Sequence, residues 1–171
     1  MPKLRKMLGD PRSQYCMAMM QLIDTQSKET LSLWAMDYAA ERYLPICEKA
    51  YPRLKEILEE RRQNVRANTP LSRSKALLRE GTALAREDKG PAAQAAARAV
   101  ATACAVMQTP TGALGFLFYG AAAWAYATVG TDKSEAEYQA VAEAEFAEAH
   151  RSLSACAVKD EPNPVRVNWN C

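Results

Sequence analysis

The sequence predicts an all-α protein: a single-domain antiparallel bundle of about seven helices around a buried, alanine-rich central hairpin. No segment shows the sustained period-two alternation of Val, Ile and Thr that marks strands. Apolar residues recur at helical spacing through most of the chain. Residues 99–131 contain no charged residue and no histidine, in a chain that is 25% charged. With 171 residues, of which 49% are apolar, one core can form without metals or disulfides.

Two helices are predicted in the first fifty residues. Asp10 and Pro11 match an N-cap followed by a first-turn proline, so we expect a helix from there to about residue 23. Ser27 can cap a second helix, whose apolar residues keep helical spacing until Pro45 kinks or stops it. The same helix can resume to about residue 51.

Two more helices are predicted before the uncharged segment. Over residues 54–65, apolar residues follow a 3.6-residue period opposite a charged face, which is typical of a surface helix. After a break at Pro70, the pattern predicts a helix over 71–86, which Gly90 and Pro91 separate from the next one.

The uncharged segment is longer than the roughly 20 residues that span a bilayer, so a membrane hairpin is one alternative. Alanine supplies 15 of the residues from 92 to 128 and leucine only two, whereas Leu, Ile, Phe and Val drive membrane insertion. The polar, turn-forming residues 108–112 divide the segment near its middle. We therefore expect two buried helices, the first over 91–107 with Pro91 in its first turn.

A long final helix and a tail complete the prediction. Asp132 or Ser134 can cap this helix, whose apolar stripe extends to Leu153. Residues 159–171 contain prolines that cannot continue a helix, so this tail is expected to be extended or disordered, with Trp169 able to dock. We therefore divide the chain into a helical domain, residues 1–158, and the tail.

Charge and cysteine content limit the classes of function. The 22 basic and 20 acidic residues give a net charge of +2, which matches neither a nucleic-acid binder nor a nucleic-acid mimic. Five cysteines without a C-x-x-C motif argue against zinc and against a secreted disulfide scaffold. These thiols and the lack of a signal peptide predict a cytoplasmic protein. Four are expected in the core and one at an exposed terminus: Cys16, Cys47, Cys104 and Cys156, then Cys171.

No catalytic, metal-binding or cofactor-binding residue is predicted. His150 is the only histidine, and Ala147 stands where a Glu-x-x-His motif of a di-iron bundle would need glutamate. The chain contains neither a G-x-S-x-G motif nor a phosphate-binding glycine loop. We therefore expect a protein that is not an enzyme and that needs no cofactor.

Charged and aromatic residues provide two sets of candidate binding residues. The helix over 54–65 has the densest basic patch and the last helix an acidic face, although both patterns also occur on solvated helices. The candidate partner-binding residues are Arg61, Arg62, Arg66, Glu143, Glu145 and Glu148. Aromatic residues at helical spacing are usually core, but some could line a pocket for a small molecule or for an unrecognised enzyme. These are Trp34, Tyr38, Tyr119 and Trp124.

Several short runs resemble the Imm-five-like family of bacterial immunity proteins. They are LWAMDYAAER at 33–42 with LP at 44–45, AAARAVATAC at 95–104, TPTGALG at 109–115 and YGAA at 119–122. The resemblance extends over about residues 31–138. It implies an all-helical fold and a role in neutralising a toxin, a role proposed for the family from gene neighbourhood.

The chain departs from the family pattern at the central turn. Family members often have histidines at the positions that match Gln108 and Gly112, so no metal or acid-base role can be transferred to these residues. The resemblance predicts a protein that binds an unidentified cognate toxin without catalysis. It excludes neither a homodimer nor the small-molecule alternative.

Overall fold

A computed structural model describes residues 3–170, and all the regular secondary structure within them is helical, which confirms the predicted fold class. A short 3-10 turn, Leu71–Arg73, precedes the fifth helix. The eight α-helices are α1 (Gln14–Ile23), α2 (Lys28–Arg42), α3 (Leu44–Cys47), α4 (Arg53–Arg66), α5 (Lys75–Ala85), α6 (Pro91–Cys104), α7 (Gly112–Thr128) and α8 (Glu135–Cys156).

The uncharged segment forms α6, α7 and the turn between them. α6 packs against α2, α3, α4, α5 and α7, while α7 also packs against α1, α2 and α8. Half of α6 is buried, mainly alanine, and most of α7 is buried as well. In the part of the chain that the structure describes, no helix is both long enough and apolar enough to cross a membrane. The hairpin is therefore the centre of the bundle.

Small residues on the hairpin allow other elements to approach closely. A Cβ atom at Gly120 of α7 would overlap the ring of Tyr43, so the tyrosine ring occupies the space that a side chain would need. The aromatic residues of α7 make their ring contacts with other helices: Phe116 with α2, and Phe118 with Phe146 of α8. Along α7, Gly120 thus allows a ring from another segment to pack directly on the helix, whereas Phe116 and Phe118 reach across to rings on other helices.

Several helix boundaries differ from the prediction. α2 ends at Arg42, Pro45 lies in the first turn of the separate helix α3, and α3 ends at Cys47 rather than near residue 51. α1 is capped by Ser13, whose hydroxyl accepts from Cys16 N, because the Asp10 carboxylate instead closes a preceding turn by accepting from Arg12 N. A 3-10 turn occupies the start of the predicted helix over 71–86. α6 ends three residues earlier than predicted, at Cys104, whose carbonyl accepts from the side chain of Arg61. Local capping therefore sets the start of α1, whereas a side chain from a distant helix bonds the end of α6.

α8 follows the prediction closely. Ser134 and Glu137 form a capping box, in which each side chain accepts from the other residue's backbone N–H. Both acidic residues of the first turn also complement the positive end of the helix dipole. The predicted stripe is buried, except for the half-buried Val141.

The tail follows α8 as extended chain along the turn between α1 and α2. The buried Gln26 holds Val158 at both backbone groups: its Nε2 donates to the carbonyl at 3.0 Å and its Oε1 accepts from the amide at 2.8 Å. Further along, Val165 N donates to Gln26 O, and Trp169 Nε1 donates to the Asp24 carboxylate. The described part of the tail is thus anchored at several points.

Three of the four predicted core cysteines are buried: Cys16, Cys47 and Cys104. The prediction is wrong for Cys156, which is exposed at the last residue of α8, beyond the buried stripe that ends at Leu153. Cys171 lies outside the described residues.

Candidate functional site

A buried carboxylate joins α2 and α8. Glu145 has 1% of its side chain exposed, and its Oε1 accepts hydrogen bonds from the hydroxyls of Tyr38 at 2.6 Å and Tyr43 at 2.7 Å. Arg42 donates to both carboxylate oxygens, with its Nε 3.0 Å from Oε1. Every oxygen of the carboxylate is therefore satisfied, as a buried charge requires.

Burial and this carboxylate together control the ionisation of the surrounding groups. Burial is the largest cause that raises the pKa of Tyr38 and of Tyr43, and the negative charge of Glu145 adds to it. Burial lowers the pKa of Arg42, but its hydrogen bond and charge interaction with Glu145 outweigh that effect and raise it overall. Both phenols thus stay protonated as donors, and the guanidinium stays charged.

Arg42 extends this cluster to the aromatic surface of α7. Its guanidinium carbon lies 3.9 Å from the centre of the Trp124 ring, a cation–π contact. Nearby, Trp34 Nε1 donates to Ser152 Oγ at 3.0 Å, which links α2 to α8 a second time. These contacts join α2, α7 and α8 around one buried carboxylate, and we call the group of Tyr38, Arg42, Tyr43 and Glu145 the clamp.

Arg61 is a second buried charge, on α4. Only 1% of the residue is exposed, its Nε donates to Cys104 O at 3.0 Å, and its Nη1 donates to Ser74 Oγ at 3.0 Å. Burial lowers the pKa of this guanidinium. Its bond to the carbonyl of Cys104, the last residue of α6, places a positive charge at the negative end of that helix dipole. Arg61 therefore holds α4 and α5 to the end of the central hairpin.

The structure separates the six predicted partner-binding residues. Arg61 and Glu145 are buried, so neither presents its charge at the surface as the sequence suggested; both occupy core positions of their helices. Glu143 points towards the N-terminal segment, where it shares a surface depression with Gly9 and Asp10. The other three residues, Arg62, Arg66 and Glu148, remain accessible or partly accessible.

Arg62 and Arg66 lie one turn apart on α4, and Glu148 lies on α8; both helices pack against α2, and we call the charged surface of these three helices the α2–α4–α8 face. Arg62 Nε lies 3.0 Å from Asp37 Oδ1, an ion-pair contact without hydrogen-bond geometry, and Arg62 also pairs with Glu59. On α8, a hydrogen bond from Arg151 lowers the pKa of Glu148, and the charge of Arg42 on α2 makes a smaller contribution in the same direction. The exposed or partly exposed charged residues of the face are Asp37, Glu41, Glu59, Arg62, Arg66, Glu148 and Arg151.

The four predicted pocket residues also separate. Trp34 and Tyr38 are buried and pack on each other and on Phe116, so they fill the core rather than line an opening. Trp124 is covered by Arg42. Tyr119 does line a cleft, between α5, α6 and α7, together with Gly112 of the central turn.

Sequence patterns gave a partial signal for the two buried charges. Arg61 continues the apolar spacing of Leu54, Ile57 and Leu58, and Glu145 lies three residues after the buried Ala142. A charged residue inside an apolar helical stripe indicates a buried partner, but the pattern does not identify that partner. The tyrosines and Arg42 come from a helix about a hundred residues earlier.

Within residues 3–170, no group of three or more His, Cys, Asp and Glu side chains could hold a metal ion. His150 is half-buried on α8, on the side away from Glu145. Gln108 lies in the turn before α7, and Gly112 is the first residue of α7.

Of the comparisons with known proteins, only the one with family models gives a match. No curated protein and no solved structure is similar enough to count as a match. A family model does match, over residues 21–149, which is well over half of the chain and includes the central hairpin and all residues of the α2–α4–α8 face except Arg151. Its description is "Imm-5 like putative immunity protein". The chain therefore belongs to the Imm-5 like family of putative immunity proteins.

Proposed function

We propose that this protein is a non-catalytic immunity protein that binds and blocks a bacterial toxin in the cytoplasm. The observation that supports this most directly is its membership of an immunity-protein family over residues 21–149. Neutralisation by binding needs a rigid scaffold with a complementary surface, and it needs no catalytic group. Thiols that are buried in the core, such as Cys47 and Cys104, suit a reducing compartment.

We place the contact surface on the α2–α4–α8 face. The Glu145 cluster fixes α2 against α8 beneath this surface, and the ion pair between Arg62 and Asp37 links α2 to α4. A face held in this way loses little conformational entropy when it binds. Its mixed charges would orient a partner and speed association more than they would add affinity. Arg62, Arg66 and Glu148 stay in the proposed contact set, whereas Arg61, Glu143 and Glu145 do not.

Co-expression with the product of the adjacent gene tests the proposal. We expect the pair to co-purify as a complex and the cells to survive expression of a product that is toxic by itself. If the neighbouring product is toxic, yet no complex forms and no protection follows, the proposal is wrong.

Charge reversal tests the contact surface. Glu41→Lys and Arg66→Glu change exposed residues of the face for which the structure gives no ion pair, so the fold should be retained, with a small cost in Arg66→Glu from the negative charge at the end of α4. We expect each to weaken the complex by about tenfold or more at low salt, with less effect at high salt. The matched control is Arg79→Glu, an exposed arginine of α5 outside the face. If the wild-type protein and these three variants all bind equally, the toxin contacts a different surface.

Stoichiometry tests the absence of catalysis. A blocking protein should inhibit the toxin fully at a one-to-one ratio, and dissociation should return toxin of unchanged mass and activity. Inactivation of many toxin molecules by one molecule of this protein, or a change in toxin mass, would indicate an enzyme instead.

Two other hypotheses, a small-molecule-binding protein and a homodimer, can be tested separately. The cleft that includes Tyr119 supports the small-molecule alternative, although Trp34 and Tyr38 do not line an opening. A homodimer is also compatible with the exposed Met17 on α1. Light scattering of the isolated protein decides this point, since a monomeric mass at high concentration excludes the dimer.

A further inference from the structure

A cleft of about 340 Å³ lies between α5, α6 and α7, close to the turn of the central hairpin. Its lining combines small residues, hydroxyls and two arginines: Thr82, Ala85, Arg86, Arg98, Ala101, Thr102, Ala105, Thr109, Gly112 and Tyr119. Thr82, Arg86 and Thr109 are exposed, so the cleft opens to solvent. The size lies at the lower end of the range of about 300 to 1,000 Å³ that is common for ligand clefts.

The two arginines of the cleft have no acidic partner in the described chain. No carboxylate lines the cleft, and the acidic residues next to Arg86 are engaged elsewhere. Glu87 lies 3.6 Å from Lys89 Nζ, and Asp88 Oδ1 accepts from Gly90 N. Exposed arginines such as Arg79 also lack an ion pair within residues 3–170, but the cleft brings two unpaired arginines to one lining. The cleft thus concentrates two uncompensated positive charges.

The hydroxyls divide into two groups. Thr82 Oγ1 donates to Leu78 O at 3.0 Å, and Thr102 Oγ1 donates to Arg98 O at 2.8 Å, so these protons are already used. The hydroxyls of Thr109 and Tyr119 make no such bond to residues 3–170 and can donate into the cleft. The donors that are free there are two guanidinium groups and two hydroxyls, and a ligand that matches them must supply acceptors and negative charge.

The start of α7 contributes its dipole but not its amides. Gly112 N donates to Thr109 O at 2.8 Å, and the next amides donate to carbonyls of the same turn. An anion in the cleft would therefore be bound by side chains, with the positive end of a 17-residue helix nearby. Gly112 has no side chain to fill this space, and the alanines and the Tyr119 ring leave apolar surface beside the charged groups.

We propose that this cleft binds a phosphomonoester with a compact organic body. Arg86 and Arg98 would hold the phosphoryl oxygens, since the planar guanidinium fork matches a tetrahedral oxyanion bidentately. Thr109 and Tyr119 would donate to the remaining oxygens, while Ala101, Ala105 and the Tyr119 ring would contact the body. This site lies on α5, α6 and α7, so the inference is independent of the proposed toxin-binding face.

Titration calorimetry of the purified full chain with phenyl phosphate tests this site. We expect saturable one-to-one binding, with phenol at the same concentrations giving no heat of binding. Arg98→Gln and Arg86→Gln should each weaken binding by about tenfold or more, because each removes a charged donor. Tyr119→Phe should weaken it less, since it removes one hydroxyl and keeps the ring. The matched control is Arg79→Gln, which removes an exposed arginine of α5 outside the cleft and should leave affinity unchanged.

The absence of saturable binding by the wild-type protein would overturn the proposal. So would equal weakening by Arg79→Gln and Arg98→Gln, which would indicate a general charge effect. Circular dichroism checks that each variant is folded, and if Arg98→Gln is not, Arg86→Gln and Tyr119→Phe carry the test. If phenyl phosphate does not bind while Arg98→Gln weakens a toxin complex, the cleft receives an acidic group of the partner and the ligand proposal is wrong.

Discussion

Removal of the Glu145 carboxylate is the sharpest test of what holds the bundle together. In Glu145→Ala, the hydroxyls of Tyr38 and Tyr43 lose their shared acceptor, and Arg42 loses both carboxylate oxygens. Tyr43 is fully buried and Tyr38 nearly so, and thus water cannot replace the lost acceptor at either hydroxyl without opening the core. The substitution therefore leaves three polar groups unsatisfied, in addition to a cavity.

The expected loss follows from the exposure of each partner. Loss of one member of a buried ion pair costs about 3–5 kcal/mol when the other charge is left without compensation. Arg42 keeps its contact with the Trp124 ring, and 22% of its side chain is exposed, so part of its charge is solvated after the change. We therefore expect the lower end of that range, about 3 kcal/mol. Glu145→Gln keeps the shape and one acceptor oxygen, and it should cost about half as much.

Urea unfolding followed by far-ultraviolet circular dichroism measures this loss. With a slope of about 2 kcal/mol per molar urea, a loss of 3 kcal/mol lowers the midpoint by about 1.5 M. The matched control is Glu148→Ala, one turn further along α8, whose carboxylate pairs with the exposed Arg151 and should leave the midpoint nearly unchanged. If Glu145→Ala lowers the free energy of unfolding by less than about 1 kcal/mol, or if Glu145→Ala and Glu148→Ala lower it equally, then Glu145 does not hold α2 to α8 as we infer.

Two further predictions concern α7 and the buried thiols. Gly120→Ala should destabilise the fold by about 3 kcal/mol or more, because its Cβ atom would overlap the Tyr43 ring. Gly115→Ala has open space around it and should stabilise α7 by about 0.5–1 kcal/mol. Thermal unfolding compares the two variants, and similar changes in stability would contradict the close contact between Gly120 and Tyr43. Burial raises the pKa of Cys47 and of Cys104 to about 12, so as the pH rises these thiols ionise in the unfolded protein before they ionise in the folded one. The free energy of unfolding should therefore fall between about pH 9 and 12, by on the order of 1.4 kcal/mol per pH unit for each thiol. Urea unfolding from pH 8 to 10.5 should show a shallower decline in the double alanine variant, and parallel declines would contradict the assigned cause.

The fold could be predicted because its strongest signals are local. Helix caps such as Ser27 and Ser134 act on amides two or three residues away, so their effect is visible in the sequence itself. The uncharged segment also carries its own turn, and its high alanine content favours helix in any context. Errors appear where a distant side chain decides, as at the end of α6, where Arg61 bonds the last helical carbonyl.

The candidate site could be predicted much less well, because charge by itself does not say which way a helical residue points. Arg61 and Arg62 are neighbours in the sequence, yet one is buried against α6 and the other pairs with Asp37 on the surface. Their separation depends on the rotation of α4 about its axis, which packing against α2 and α6 fixes. The cleft is even less visible in sequence, since Arg86 and Arg98 line the same opening only because α5 packs against α6.

The clamp and the proposed contact face are coupled, and this decides how toxin binding must be tested. Glu145 lies beneath the α2–α4–α8 face and sets the position of α2, whose exposed Asp37 and Glu41 belong to that face. Glu145→Ala would thus weaken a toxin complex even if no toxin atom came near residue 145. Glu41→Lys and Arg66→Glu avoid this ambiguity, since their side chains extend from the surface and support no other helix. A loss of binding in these variants, with unchanged stability, would therefore report contact with the toxin rather than a damaged scaffold.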